Sequence, residues 1–473
     1  MGDIAVFFQS YQMLLFEICF NNGEFNMTKS FFIYALMIFL ALIFLTACAR
    51  LRSSPPTSEK TVATAPDTKK RQYMAQVVAV QWLNPLQRRD YPTQWQLLWT
   101  LGLVRPNPDD DMAKENPKKY SSLQAVSPVV AGNEGEETFR GYHRKYIREI
   151  MNLFHDIYYC DPEYFYNVHS AENRSRWREL AGIHIEYAIP EGKLDPADAG
   201  AFVQDYVRRT FTIGNPNFPT LWTRSTLPDV RVTMGGPNAG FTSLSAALDY
   251  LQTHPKETVW AMNWDAPSRP LDRQINENLV LLVLAGPDYK TERAPLAWLG
   301  YPSTKQVADF EVKKGEPPRL VQAWTAAIED AAAKANRRDS EIGYLIHDAG
   351  NTHKDSSARL GALAQTLTLQ LPEFDFLKQS FNLTAVLGET GAGTALTNVA
   401  LGIAYAHHFG KPVLVAGTSD LLAPVALVVA PPAVVRPIQP DKPWFRARSG
   451  NHAYLPWWGL RHDAREYYQG FSQ

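Results

Sequence analysis

Gly388–Pro432 reads GETGAGTALTNVALGIAYAHHFGKPVLVAGTSDLLAPVALVVAPP. Gly388, Gly391 and Gly393 make a glycine-rich turn that feeds a long apolar stretch ending at Phe409. Gly410 stands just past the last periodic residue, where a glycine closes a helix. Ala395, Leu396, Val399, Ala400 and Ile403 recur at helical spacing, and Ala404 and Ala406 leave little polar face. A helix that is apolar nearly all round is a buried one. Val413–Ala416 and Val425–Ala430 are continuous apolar runs separated by a turn over Asp420–Pro424. Uninterrupted runs of this length predict strands covered on both faces. A buried helix leading into buried strands sets the class as α/β.

The same order occurs earlier in the chain. Gly235-Gly236-Pro237 precedes Asn238–Thr253, in which Leu244, Ala247, Leu248 and Leu251 are helically spaced. Thr258–Asn263 and Leu279–Ala285 then read as strands, joined by a long connector, Trp264–Asn278. Glycine turn, buried helix, strand, connector and strand therefore occur twice, about 150 residues apart. Each half is expected to begin with a strand, Val77–Val80 in the first and Ile342–Ile346 in the second. Two similar βαβ-type halves sharing one layered core is the economical arrangement.

Around this core the chain divides by composition. It has 473 residues, 45% hydrophobic and 20% charged, with a net charge of -1. That is a globular composition with no basic excess to recommend a nucleic-acid partner. Cys19, Cys48 and Cys160 have no metal-ligand spacing and build no disulfide framework. Residues 1–50 form an N-terminal segment. Within it Met27-Thr28-Lys29 opens a signal-like region, Phe31–Ala47 is uncharged and apolar, and Leu45-Thr46-Ala47-Cys48 matches the bacterial lipoprotein pattern. On that reading Cys48 is lipidated and Met27 is the true start, with residues 1–26 a mis-assigned extension. The other reading is an uncleaved signal anchor. Both place the body at a bacterial membrane and leave its side open. Residues 51–72 are a Pro/Ser/Thr/Lys linker with no apolar period, a flexible tether.

The folded body is expected over 73–439, in halves of about 73–300 and 301–439. Asn84-Pro85-Leu86 reads as a turn, Trp95–Leu101 as helical and Pro106–Lys119 as a surface loop. Phe139–Tyr166 is helical and crowded with aromatics, Tyr142, Tyr146 and Phe154 among them, which read either as cover for the core or as a partner surface. Ile183–Ile189 alternates like a half-buried strand. Asp195-Pro196 opens a helix through about Arg208, with proline in its first turn. Phe211–Asp229 reads as a loop. The tail, 440–473, carries Trp444, Trp457, Trp458 and Arg461 among other aromatics and arginines. These residue types dominate protein interfaces, and they equally suit a segment that folds back over its own sheet.

Three short stretches, in this order, resemble the thiolase-like fold of ketoacyl synthases: Gly236-Pro237-Asn238-Ala239-Gly240-Phe241, Tyr344-Leu345-Ile346-His347-Asp348-Ala349-Gly350 and Val386-Leu387-Gly388-Glu389-Thr390-Gly391. The resemblance covers roughly 75–432 and implies a layered α-β-α-β-α core. It implies a nucleophilic cysteine at the position of Gly240, a first histidine at His347 and a second at the position of Glu389. Only His347 is retained. A thiolate attacks and two imidazoles handle the oxyanion and the proton, so Gly, His and Glu carry over the fold without the activity. Together with the apolar N-terminus and linker, the layout also resembles the type VI lipase adapter family. That resemblance implies a protein-binding adapter that loads a lipase effector onto a VgrG spike, and no cofactor. The thiolase-like resemblance further implies that two copies can pair through their sheets. The alternative is an acyl-binding protein or enzyme that uses His347, Asp348, His353, Asp355 and Glu389, a polar cluster that also reads as the remnant of a lost site.

Other motifs fall short. Asn238 stands where a hydrolase elbow needs serine. Gly388–Thr394 lacks the P-loop lysine, and Leu396 occupies the third glycine position of a dinucleotide turn. His407-His408 suits the negative end of a helix dipole.

Overall fold

The computed structural model describes residues 73–83, 101, 138–154, 183–211, 227–266, 278–291, 293–350, 354–437 and 460–461. Expectations for the N-terminal segment, the linker, Cys48, the turn at Asn84, the helix at Trp95 and the loop at Pro106 lie outside these residues. So do those for His353, Trp444, Trp457 and Trp458. The described residues all belong to one compact unit, residues 70–473.

The first half contains β1 (Ala75–Leu83), α1 (Phe139–Phe154), β2 (His184–Pro190), α2 (Pro196–Thr210), β3 (Asp229–Gly235), α3 (Ala239–Thr253), β4 (Thr258–Asp265) and β5 (Asn278–Ala285). Three two-residue strands follow: β6 (Arg293–Ala294), β7 (Trp298–Leu299) and β8 (Ser303–Thr304). The second half holds α4 (Arg319–Lys334), β9 (Tyr344–His347), α5 (Ser356–Gln370), β10 (Ser380–Asn382), α6 (Leu383–Leu387), α7 (Thr394–Phe409), β11 (Val413–Gly417) and β12 (Val425–Ala430). Last comes β13 (Leu460–Arg461).

The strand order is β10-β9-β11-β12-β7-β1-β5-β4-β2-β3. Read outward from the middle, the two sides are the same sequence of strands. β5-β4-β2-β3 matches β12-β11-β9-β10, with β4–β5 and β11–β12 antiparallel and the outer pairs parallel. The internal repeat read from the glycine turns is therefore a structural repeat. One correspondence differs from expectation: the partner of β9 is β2, and β1 instead lies against β5 as β7 and β8 lie against β12.

Three buried clusters make the layers. The central one joins α3 and α7 to the facing sides of both half-sheets, through Leu244, Leu248, Leu396, Val399, Ile403, Leu282 and Leu427. The second lies between α1, α2 and the outer side of the first half-sheet, around Tyr146, Val203, Trp260 and Trp264. The third lies between α4, α5 and the second half-sheet, around Trp324, Leu363, Leu414 and Val428. Helix, sheet, helix, sheet, helix is the order of the layers. Each large side chain removed from water in these clusters contributes about 2–3 kcal/mol.

α7 is buried at every residue except Tyr405 and Phe409, as its missing polar face requires. Gly410 closes it at φ +65 in the left-handed region, which a glycine enters without a Cβ penalty. β11 and β12 are buried throughout. Tyr142, Tyr146 and Phe154 are buried too, so this part of the aromatic helix covers the core.

Two expectations need correction. All seven residues of β2 are buried, so it is not half-exposed. Its alternation separates two covered faces: Ile185, Tyr187 and Ile189 lie in the outer cluster, while the His184 ring stacks at 3.8 Å on Tyr250 of α3. The stretch expected to be a loop through Asp229 passes at that residue into β3, whose Val230, Val232 and Thr233 suit a strand.

Asp195 caps α2 by accepting from the amides of Ala197 at 2.8 Å and Asp198 at 3.4 Å. Asp195→Ala is expected to cost about 1 kcal/mol of stability, read from a shifted urea-unfolding midpoint. An unchanged midpoint would mean that water replaces the cap.

Candidate functional site

Of the three positions singled out by the motifs, Gly240 lies in the first turn of α3, His347 at the carboxyl end of β9, and Glu389 in the connection between α6 and α7. Gly240 is the second residue of α3 and is buried. A Cβ on it would lie 3.0 Å from Ala395 Cβ, 3.1 Å from Leu396 Cγ and 3.3 Å from Asn263 Nδ2. α3 and the start of α7 therefore approach each other through the absence of a side chain at Gly240. Gly417 does the same one strand away: a Cβ there would lie 2.5 Å from Asn238 Oδ1 and 2.8 Å from Phe241 Cε2.

His347 ends β9 and is 1% exposed. Burial pushes its pKa down to about 4, so the ring is neutral near pH 7. Its Nδ1 accepts from the Ala349 amide at 3.3 Å, and its ring lies 5.8 Å from that of Phe376. Asp348 is buried beside it. Asp348 Oδ1 accepts from the Thr418 amide at 2.6 Å and from Thr418 Oγ1 at 2.9 Å. Burial raises the Asp348 pKa, the Thr418 hydrogen bonds oppose the rise, and the nearby charge of Glu389 adds to it. Glu389 Oε1 lies 3.6 Å from where a Cβ on Gly350 would be. Gly350 has φ +71, and the Asn382 side chain holds it through Nδ2 to its carbonyl at 3.1 Å and Oδ1 from its amide at 3.3 Å. So Asp348 and Glu389 share a neighbourhood with His347 next in the chain. Asp355 is exposed at the start of α5, where it leads the helix without a side-chain cap.

The glycine-rich turn that would bear the second histidine has another use. Gly391–Gly393 forms a single 3-10 turn seated on the end of β4. Asp265 Oδ2 accepts from the Ala392 amide at 2.9 Å, and Oδ1 from the Ala266 amide at 2.8 Å. Lys193 Nζ stands 3.4 Å from the same carboxylate. Asn278 Nδ2 donates to the Gly393 carbonyl at 3.0 Å and to Thr397 Oγ1, and Asn278 Oδ1 accepts from Trp82 Nε1 at 2.8 Å. This buried polar latch ties the end of the β4–β5 pair in one half to the helix start in the other. Asp265, Asn278, Asn382 and Thr418 belong to no motif in the sequence. Their only local signal is a polar residue at the end of an apolar run, Asp265 and Asn278 flanking the long connector.

Chemically, the arrangement offers a neutral buried imidazole, a protonation-prone carboxyl and a second carboxyl, with no side chain at Gly240. Among the described residues no three His, Cys, Asp or Glu side chains are placed to hold a metal ion. In the tail, Arg461 pairs through its backbone with Arg293, and Leu460 with Ala294, so this part of the tail folds back onto its own chain.

Two halves of matching strand order, closed on a central pair of buried helices, define a thiolase-like fold. Residues 296–431 match the family described as type VI lipase adapter protein Tla3, C-terminal. Solved structures similar to the chain include the oxazolomycin ketosynthase domain OzmH KS8 of Streptomyces albus. It is 12% identical, with 80% of this chain and 100% of that chain covered, at a TM-score of 0.44. The 3-oxoacyl-[acyl-carrier-protein] synthase III of Aquifex aeolicus is 13% identical, with 75% and 99% covered and a TM-score of 0.39. The corresponding Thermus thermophilus enzyme is 12% identical, with 75% and 98% covered and a TM-score of 0.41. No curated protein matches the sequence.

Proposed function

We propose that this protein is a catalytically inactive, thiolase-like adapter, held at a bacterial membrane through its N-terminal segment, that binds a lipase effector and presents it to the spike of a type VI secretion system. The observation that carries the reading is the match of residues 296–431 to the C-terminal part of a type VI lipase adapter. The packing at Gly240 supports it, because a side chain there would require Ala395 and Leu396 to give by a few tenths of an ångström. The membrane tether follows from the apolar run before Cys48, with Cys48 lipidated or the run kept as an anchor.

Affinity capture with the full chain from lysate of its own cell tests the adapter role. The expected result is a lipase retained in fixed stoichiometry, and light scattering of the complex gives one copy of the adapter or two. The second reading, an acyl-binding protein or enzyme, draws on the meeting of Asp348 and Glu389 beside His347. An acyl ligand copurifying in place of a lipase, or an acyl-transfer activity abolished by His347→Ala, would overturn the adapter reading.

The Gly240→Cys variant separates lost chemistry from a merely altered residue. It is expected to form no acyl-enzyme with an acyl thioester. The introduced thiol should react slowly with an aromatic disulfide in the native state, and the unfolding free energy should fall by about 1–3 kcal/mol from overpacking. A thioester-dependent mass increase on the introduced thiol would show an open, competent site and defeat the proposal of inactivity.

A further inference from the structure

One end of the fold carries the amino ends of β4, β9 and β11. Paired residues run across it in a row: Tyr344 with Val413, Val413 with Val429, Ala430 with Trp298, Trp298 with Gln76, Gln76 with Ala285, and Ala285 with Thr258. Both central helices finish against this row. His407 Nδ1 of α7 lies 3.0 Å from the Leu296 carbonyl, and Gln252 Nε2 of α3 donates to Tyr301 Oη at 2.7 Å. Tyr73, where the linker gives way to the body, stands here as well, its ring 6.3 Å from that of Tyr301. His347 and Asp265 close the other ends of β9 and β4.

In the second half this end bears an apolar ridge. Phe409 and Tyr405 of α7 lie 4.5 Å apart between ring centroids, and Tyr405 stacks on Tyr344 at 3.9 Å. Tyr344 Oη stands 3.5 Å from the Ser380 carbonyl, at the foot of the turn that holds Leu377. On the other flank Val435 lies against the helix stop, since a Cβ on Gly410 would meet its Cγ2 at 2.9 Å. The ridge is open to solvent: Leu377 is 91% exposed, Val434 72% and Phe409 44%. Lys411, also exposed, runs its stem across Gly343, where a Cβ would lie 2.6 Å from Lys411 Cδ. Lys378 pairs with Asp375 at 2.9 Å in the same turn as Leu377, so apolar contact and not charge must hold whatever covers the ridge. An exposed apolar patch marks a contact surface. Apolar tips beside tyrosine rings and a long-stemmed lysine are the residues of a bilayer interface.

We propose that this end is the membrane-facing end of the body, and that Leu377, Phe409 and Val434 enter the interface of a phospholipid bilayer. The proposal rests on the membrane tether put forward above and adds the surface that the tethered body turns to the lipid. The choice of a bilayer over a protein follows from where the chain enters: the linker, residues 51–72, joins the body at Tyr73, at this same end. A tether that short makes the second contact intramolecular, so a ridge too small to hold a bilayer alone suffices. The far end, with His347 and Asp265, then faces away from the lipid and is left free for a protein partner.

Vesicles of phosphatidylethanolamine and phosphatidylglycerol, doped with a phospholipid that carries a photoreactive group in its acyl chain, test this with the full chain. After illumination, lipid adducts are expected on the N-terminal segment and also within 374–380, 405–411 and 432–436. Leu377→Asp combined with Val434→Asp alters two exposed side chains, so the melting curve should stay that of wild type. Adducts on the body should fall at least about tenfold while those on the N-terminal segment remain. Leu422→Asp, at an exposed residue between β11 and β12 at the far end, is the control and should change neither. The wild-type adduct positions decide the matter even if a variant misfolds. Adducts confined to the N-terminal segment would overturn the ridge assignment and leave the tether standing. No adducts anywhere would remove the tether and the ridge together. Body adducts that survive the double variant, or that lie around Leu422, would overturn the assignment. Lipase capture lost in the double variant would hand the ridge to the protein partner and overturn it as well.

Discussion

Gly391→Ala is expected to leave little or no folded protein. A Cβ at this position falls on Asp265 Oδ2 and within 2.9 Å of Asp265 Cγ. The backbone has φ +50, a region that side chains enter only at a cost. Neither partner can give way freely. Asp265 is held by the amides of Ala392 and Ala266, and the turn is held by Asn278 on the Gly393 carbonyl. Steric collision, backbone strain and the loss of a buried carboxylate's hydrogen bonds together are expected to cost about 4–5 kcal/mol, a large part of the stability of an ordinary domain. Urea unfolding checks this, with Gly192→Ala as the control. Gly192 also has positive φ, yet nothing lies within 4 Å of its Cβ position, so backbone strain acts there alone. Similar losses in the two variants would show that strain, and not the latch, governs the turn.

Acid is expected to unfold the protein well above the pH at which carboxylates ordinarily protonate. Burial lowers the pKa of His143, His347 and His407 to about 4 and that of His408 to about 3. An unfolded chain protonates these rings near pH 6.5. Below that pH the unfolded state binds up to four protons that the folded state refuses, so stability falls as pH falls, across a window from about 6.5 to 4. Asp265 and Asp348 act in the opposite sense. Burial raises both, so the folded state takes up as many as two protons before the unfolded chain does. Four against two leaves the histidines ahead, with a net loss of about 2–5 kcal/mol per pH unit near pH 5. Two carbonyl contacts oppose the fall in pKa without reversing it: His407 Nδ1 lies 3.0 Å from the Leu296 carbonyl, and His408 Nδ1 2.7 Å from that of Arg436. Melting temperatures between pH 7.5 and 4.5 decide the matter. A flat profile down to pH 5 would mean that these rings reach solvent.

Much of the architecture could be read from local pattern. The repeat, the bounds of α3, α7, β11 and β12, the helix start at Asp195-Pro196 and the glycine stop at Gly410 were all legible, because each depends on residues near one another in the chain. The candidate site was legible only in part. The motif positions Gly240, His347 and Glu389 could be named. That Gly240 is a contact between two helices, and that Glu389 lies beside Asp348, depend on segments about 40 to 150 residues apart.

By itself the sequence determined the α/β class and the two copies of glycine turn, buried helix and buried strands. These are matters of composition and of period 3.6 against uninterrupted apolar runs. Only the tertiary structure decided which strand of one half matches which of the other, that β2 is covered on both faces, that β3 is the edge of the sheet, and that the glycine-rich turn serves as a latch on Asp265. Each of those depends on what packs against the second face or the far edge of an element. A side chain's own sequence neighbours do not carry that information, because the neighbour that covers it comes from another layer.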